Sequence, residues 1–381
     1  MATMSTERLD GRFILDDRVA PGWLTIEDGW IVAIDLHGGS NARSGDGPLI
    51  APGFVDVHVH GWGGHDAMGG REALDGMSRA LLRRGVTSFL PTAVTAPLDE
   101  LARFADSVRA WTPASPADGA GPLGYNLEGP FLAPSRRGAH HPDHLRVPAE
   151  VDGAAIEPLL DGLRLITIAP ELDGAVDLIA SLAERGIAVS LGHTAADYET
   201  ASRGYAAGAS STTHLFNAMT GIDHRSPGVV VAALTEDVVF VELIADGQHV
   251  HPAIWPLITG PKSPDRLLLV SDAIAMAGQG DGPARIGELE VDVVGGRATL
   301  RGTSTLAGSV IALDTALRQL AGAGLPLSDA VAAVTRVPLA LIGVTDRGRI
   351  AVGQRADLVE LSEDLTVRRV MRNGTWVAGA T

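Results

Sequence analysis

Eight short apolar runs, set along the middle of the chain and separated by stretches of helical periodicity, constrain this sequence more than any other feature. They are residues 54–60 (FVDVHVH), 86–93 (VTSFLPTA), 123–129 (LGYNLEG), 163–169 (LRLITIA), 187–193 (IAVSLGH), 210–216 (SSTTHLF), 238–245 (VVFVELIA) and 267–273 (LLLVSDA). The intervening REALDGMSRALLRRG, DGAVDLIASLAERG and AADYETASRGYAAG each end in the glycine expected after a helix C-terminus. Apolar strands alternating with helices predict a parallel sheet, and eight is the number that closes a (β/α)8 barrel. The structural competitor is an open doubly wound sheet. No GxGxxG opens a helix after the first run, which weighs against its dinucleotide-binding form.

Both ends of the chain have a different texture. GWLTIEDGWIVAIDL is two β-rich runs split by Asp28-Gly29, and DLVELSEDLTVRRVMRNGTWVAG is divided by Asn373-Gly374; both dipeptides are hairpin signals. The expected fold is therefore α/β: a (β/α)8 TIM-like barrel over residues 51–344, with a small β-sandwich domain built from both termini (1–50 and 345–381). GQGDGPARIGELEVDVVGGRATLRGT reads as a β insertion at about 279–304, after the last barrel strand.

The first run places His58 and His60 two residues apart. On a strand such residues point to one face, so both imidazoles aim at one spot where the strand gives way to a glycine-rich loop. Glu128 ends the third run, His193 the fifth, His214 the sixth and Asp272 the eighth. Each alone has an ordinary structural reading as a hydrogen-bonding or turn residue. Together they set imidazoles and carboxylates at the C-terminal ends of five strands, the face where barrel enzymes assemble their sites. That coincidence predicts a metal site. Nitrogen and oxygen ligands without thiolate suit Zn2+, Fe2+, Co2+ or Mn2+. Such an ion lowers the pKa of bound water to about 7, and Asp272 is placed to act as general base and then acid.

Composition removes several classes. A net charge of −16 argues against a nucleic-acid or anionic-membrane partner, while leaving room for a small anionic substrate held by a local Arg or helix N-terminus. The chain has no cysteine, which excludes disulfides, thiolate ligands and a Cys nucleophile. The start MATMSTERLDGRF lacks a signal-peptide pattern, and no run reaches bilayer length; a cytoplasmic location is the expectation. The single lysine is Lys262.

An HxH on strand one, His on strands five and six and Asp on strand eight resemble the amidohydrolase superfamily. Many binuclear members bridge their metals with a carboxylated lysine on strand four; no Lys lies between His60 and His193, which leaves Glu128 as the carboxylate ligand. That variant, with APGFVDVHVHG, LEGPFL, GAHHP, SLGHT, THLFNAM, HRSPG, IADGQHVHP, LVSDA, LAGS and GRIAVGQRADLV in order, is similar to the N-acetylglucosamine-6-phosphate deacetylase family over nearly the whole chain. The resemblance implies Glu128, His193 and His214 as ligands of the main metal, with His58 and His60 available for a second, so one or two divalent ions per subunit, zinc foremost. It implies Asp272 as catalytic acid/base. Substrate contacts are implied for Ala139, His140, Asn217, Ala218, His224, Arg225, His249 and the Leu306-Ala307-Gly308 loop. It further implies a homodimer in which Arg225 reaches the phosphate in the neighbouring site. The departures are Ser226 and Phe216, where relatives often carry Glu and Tyr. The expected activity is metal-dependent hydrolysis of N-acetylglucosamine 6-phosphate to glucosamine 6-phosphate and acetate. The alternatives are another metal amidohydrolase, such as a deaminase or dipeptidase, or a non-catalytic sugar-phosphate-binding protein on the same barrel.

Overall fold

The computed structural model describes residues 6–37 and 47–377. All eight apolar runs form strands: Phe54–Val59, Val86–Ala93, Tyr125–Glu128, Leu163–Ile168, Ala188–Leu191, Ser211–Thr212, Phe240–Leu243 and Leu267–Leu269. They pair in parallel in chain order, from the first through to the eighth. Every residue of the first, second and third of these strands is buried. This is why they read as continuous apolar runs: helices cover the outer face of a parallel sheet and side chains fill its interior.

The eighth strand meets the first beyond its own last ladder pair. Asp272 N–H donates to the His58 carbonyl (2.9 Å), and His60 N–H donates to that of Ala273 (2.8 Å). At the opposite end Val55 and Leu269 donate instead to Val334 and Ala333. The barrel thus closes at its C-terminal mouth, through the backbone of residues that carry the candidate site.

Helices expected from the sequence occur at Gly70–Leu82, Ala175–Glu184 and Tyr198–Ala206. Each buries one apolar stripe against the strands, as Leu74, Met77, Leu81 and Leu82 do in the first. The helix Gly228–Thr235 ends on Lys262, the lone lysine. Its buried ammonium donates to the carbonyls of Ala233 (2.7 Å) and Glu236 (2.5 Å), and burial pushes its pKa down to about 8. It remains protonated at neutral pH, a cation satisfying the carbonyl end of a helix. Lys262→Met is expected to destabilise the protein by about 1–3 kcal/mol, since one buried and one part-buried carbonyl lose a charged donor; thermal melts report it as a lower Tm.

The termini supply a seven-stranded sheet. Thr6–Ile14, Val19–Glu27, Trp30–Leu36 and Leu49–Pro52 join Leu358–Leu361, Val367–Arg372 and Thr375–Val377 in one hydrogen-bonded path. Both expected hairpin dipeptides sit in turns with positive φ, at Asp28-Gly29 and Asn373-Gly374. Ile31 N–H donates to Gln354 and Gly353 N–H to Ile31, so the sheet curls round a core of Phe13, Leu24, Ile26, Ile31, Ile50, Leu358 and Met371. Residues 1–5, 38–46 and 378–381 of the expected terminal domain lie outside the described residues. The insertion is a three-stranded antiparallel sheet, Gly282–Ile286, Leu289–Val294 and Arg297–Leu300. Among the described residues no helix is long and apolar enough to cross a membrane.

Candidate metal centre

Three of the chemistry-bearing residues adopt a backbone conformation that side chains other than glycine's rarely take. His193 (φ 47°), His214 (φ 28°) and Asp272 (φ 50°) are all left-handed, as are Phe216 and Ala218 nearby. Each lies just past the end of a barrel strand, where the bend turns its side chain across the mouth. Such strain is of order 1–3 kcal/mol per residue and collects at functional sites.

The side chains converge on Glu128. Its Oε1 lies 2.9 Å from His193 Nε2 and 2.9 Å from His214 Nε2, which are 3.1 Å from each other. Its Oε2 lies 3.1 Å from His60 Nε2 and 3.2 Å from His140 Nε2. Asp272 Oδ1 faces His60 Nε2 at 3.2 Å and His58 Nε2 at 3.6 Å. All six residues expected around a metal are buried and meet at the barrel mouth.

The outer nitrogens fix how these imidazoles present themselves. Nδ1 of His58 faces Glu242 Oε2 (3.1 Å), Nδ1 of His60 the Thr92 carbonyl (3.2 Å) and Nδ1 of His193 the Arg136 carbonyl (2.8 Å). An oxygen acceptor at Nδ1 keeps the hydrogen there and leaves the Nε2 lone pair facing inward, the arrangement that metal-ligating histidines use. Nε2 of His58 and of His60 are buried and make no hydrogen bond among the described residues. The Nδ1 of His140 faces the N–H (3.2 Å) and the hydroxyl (2.9 Å) of Thr95, which directs its Nε2 at Glu128. His140 Nε2 thus stands beside Glu128 and His193 in a further group of metal-competent side chains.

Charge follows the same geometry. Burial opposes ionisation of Glu128, but the imidazoles of His140, His58 and His193 hold its carboxyl well below the usual carboxylate range. Burial likewise works against Asp272, and His60 and His58 keep it lowered. Burial would push His58 down; Glu128, Glu242 and Asp272 hold it well above the ordinary histidine value. His60 is raised in the same way by Asp272 and Glu128, to about 9. Burial, with His140 and His214 beside it, lowers His193 to about 4 despite Glu128. Two ionised carboxylates amid imidazoles whose Nε2 atoms point inward, with Glu128, His193 and His214 spaced at 2.9–3.1 Å, fit a divalent cation that takes the place of the protons on His58 and His60.

A cavity of about 360 Å3 opens above this cluster, room for a small ligand. Glu128, Ala139, His140, His193, His214, Asn217, Ala218, His249, Asp272, Leu306 and Gly308 line it. His58 and His60 lie beneath its floor. Gly138 (φ 56°) lets the loop rest on the His193 ring, where a Cβ would come within 3.1 Å of its Cε1. His249 is oriented by Asp246, whose Oδ2 is 2.7 Å from its Nδ1. Ala307 is fully buried behind the wall and holds the loop through a bond to the Ala298 carbonyl (3.2 Å). His224 and Arg225 do not line this cavity; both are exposed on the loop before Gly228. A larger cleft of about 660 Å3, between Arg83 and Trp376, is lined by no histidine.

Two residues escaped the sequence reading. Glu242 is fully buried, faces His58 Nδ1 and accepts the backbone N–H of His214 (3.2 Å), so it braces one imidazole and the backbone that carries another. Its signal was a carboxylate inside the apolar run VVFVELIA. Arg297, from the insertion, lines the cavity and carried no local signal.

The model of the amidohydrolase family matches residues 49–377. The chain belongs to that family. This amidohydrolase is 39% identical over 350 residues to N-acetylglucosamine-6-phosphate deacetylase of Bos taurus, covering 88% of the present chain and 85% of the relative. It is 36% identical over 374 residues to N-acetylgalactosamine-6-phosphate deacetylase of Escherichia coli O157:H7, covering 94% and 95%. The structure of a mutant N-acetyl-D-glucosamine-6-phosphate deacetylase from Mycobacterium smegmatis, in complex with N-acetyl-D-glucosamine 6-phosphate, superposes with a TM-score of 0.90. That match has 38% identity and covers 98% of this chain and all of that one.

Proposed function

We propose that this amidohydrolase is a metal-dependent deacetylase that hydrolyses N-acetylglucosamine 6-phosphate to glucosamine 6-phosphate and acetate. The observation that carries the reading is the meeting of Glu128, His193 and His214 at 2.9–3.1 Å under a cavity that Asp272 enters. Similarity to amino-sugar-phosphate deacetylases over most of the chain supports the substrate.

Glu128, His193 and His214 would hold the principal divalent ion, zinc by preference; His58, His60 and Asp272, again with Glu128, form a second group of donors. When bound, the ion supplies the Lewis acidity that polarises the acetyl carbonyl and makes water a nucleophile near neutral pH. The chain's own groups do the rest. Asp272, held ionised by its imidazole neighbours, takes the proton of the attacking water and passes it to the departing nitrogen. His140 Nε2–H donates to the acetyl oxygen as charge grows there. Asn217 and the oriented His249 bind sugar hydroxyls beneath the Leu306–Gly308 loop. Assembly as a homodimer in the cytoplasm completes the reading: the exposed Arg225 is free to enter a neighbouring subunit's site, with His224 beside it.

Arg225→Ala is accordingly expected to raise KM for the 6-phosphate several-fold or more with a smaller change in kcat, checked by steady-state kinetics. An unchanged KM reassigns the side chain to the loop. A second reading, hydrolysis of the galacto epimer, is favoured by the 36% identity to an N-acetylgalactosamine-6-phosphate deacetylase over 94% of the chain. One panel decides between these and against the deaminase, dipeptidase and non-catalytic alternatives. It measures acetate release from both N-acetylhexosamine 6-phosphates, from both free sugars and from an N-acetyl dipeptide. Release confined to one 6-phosphate selects that epimer; release from none ends the deacetylase reading.

A further inference from the structure

A phosphorylated substrate brings a dianion into a strongly acidic protein, so the cations within reach of the cavity matter. Arg297 is the one arginine or lysine among the residues that line it. It stands at the start of the insertion's third strand, after a turn in which Gly295 and Gly296 both have positive φ. That turn is pinned twice. The Asp281 carboxylate accepts the N–H groups of Gly295 (2.8 Å) and Gly296 (3.4 Å). The side-chain amide of Gln248 donates to the Gly296 carbonyl at 3.1 Å, which ties the turn to the segment that carries His249 into the site.

The insertion's other arginines nearby are already committed. Arg301 pairs with Glu290 (2.7 Å) and Asp292 (3.0 Å), and Arg285 donates to the Glu288 carbonyl (3.1 Å). Arg297 is exposed and has no ion-pair or side-chain hydrogen-bond partner among the described residues. An uncommitted guanidinium at the rim of a cavity, on a turn anchored to the site wall, is built to meet an anion that the protein itself does not supply.

We propose that Arg297 is a phosphate ligand supplied in cis: its guanidinium pairs with the phosphate of a sugar phosphate whose acetamide lies over Glu128, His193 and His214 of the same subunit. The proposal rests on the deacetylase reading for the substrate's orientation. It gives the insertion a part in recognition, so that phosphate binding does not depend wholly on a neighbouring subunit's Arg225.

The test is steady-state kinetics of the metal-loaded enzyme on N-acetylglucosamine 6-phosphate and on the free sugar, with Arg297→Ala and Arg297→Lys. Arg297→Ala is expected to raise KM for the 6-phosphate about tenfold to a hundredfold, the weight of a hydrogen-bonded charge pair. KM for the free sugar should move far less, and Lys should recover much of the loss. An unchanged KM for the 6-phosphate, or an equal rise for both sugars, overturns the proposal. If the wild type releases no acetate from any 6-phosphate, the deacetylase reading falls and calorimetry with inorganic phosphate still decides Arg297. Weaker phosphate binding by Arg297→Ala than by the wild type supports it, and equal binding overturns it.

Discussion

Asp272→Asn is expected to lower kcat by about 10²- to 10⁴-fold, the range that a positioned acid/base group contributes, with KM and metal content near those of the wild type. The asparagine is nearly isosteric and keeps the backbone role of position 272, whose N–H closes the barrel on the His58 carbonyl and whose carbonyl accepts the Ser309 N–H (2.7 Å). What it loses is the ability to take a proton from water and return it to nitrogen. The carboxylate faces His60 and His58, and these neighbours favour its ionised form, the form a base needs. Metal analysis beside single-turnover acetate release separates the two possibilities. Near-normal turnover by a metal-loaded Asp272→Asn would move the proton transfer to another group.

Glu128→Gln is expected to lose most of its bound metal and, with it, on the order of a thousandfold or more in activity, as when a Lewis acid worth several kcal/mol is removed. Glu128 is the hub of the cluster: four imidazole nitrogens lie within 3.2 Å of its two oxygens. An amide keeps the shape and removes the charge. Chelation of the wild type should reproduce the loss, and added zinc should restore the wild type and not the variant. Binding at the second group of donors, which includes His58 and His60, should also tighten as pH rises. In the metal-free chain His60 is raised to about 9 and His58 well above its ordinary value, so both hold protons at pH 7 that an ion must displace. Metal content of Glu128→Gln equal to that of the wild type would remove this residue from the ligand set.

The barrel was legible because its strands are buried on both faces, and nothing but continuous apolar sequence suits that environment. The candidate site was legible because His58, His60, Glu128, His193, His214 and Asp272 are polar interruptions at the ends of those same runs. Glu242 was passed over for the complementary reason. Three further apolar residues follow it in the sequence, whereas the strand itself ends at Leu243, so a residue at the mouth looked like one in mid-run. Arg297 could not be read at all. Its approach to the cavity depends on how the insertion folds back, through Gln248 and Asp281, and neither contact leaves a local pattern. The same holds for barrel closure, where Asp272 and His58 meet across more than half the chain. His224 and Arg225 were placed at the substrate by resemblance alone, and in the single subunit they face solvent.

The left-handed backbone at His193, His214 and Asp272 bears on how this enzyme can be made hardier. Glycine or asparagine tolerates that conformation more readily than histidine or aspartate, so a selection that rewards only heat resistance would drift toward erasing the proposed ligands and acid/base themselves. Robust variants should instead be sought at the far end of the barrel and in the terminal sheet, where added stability asks nothing of the machinery.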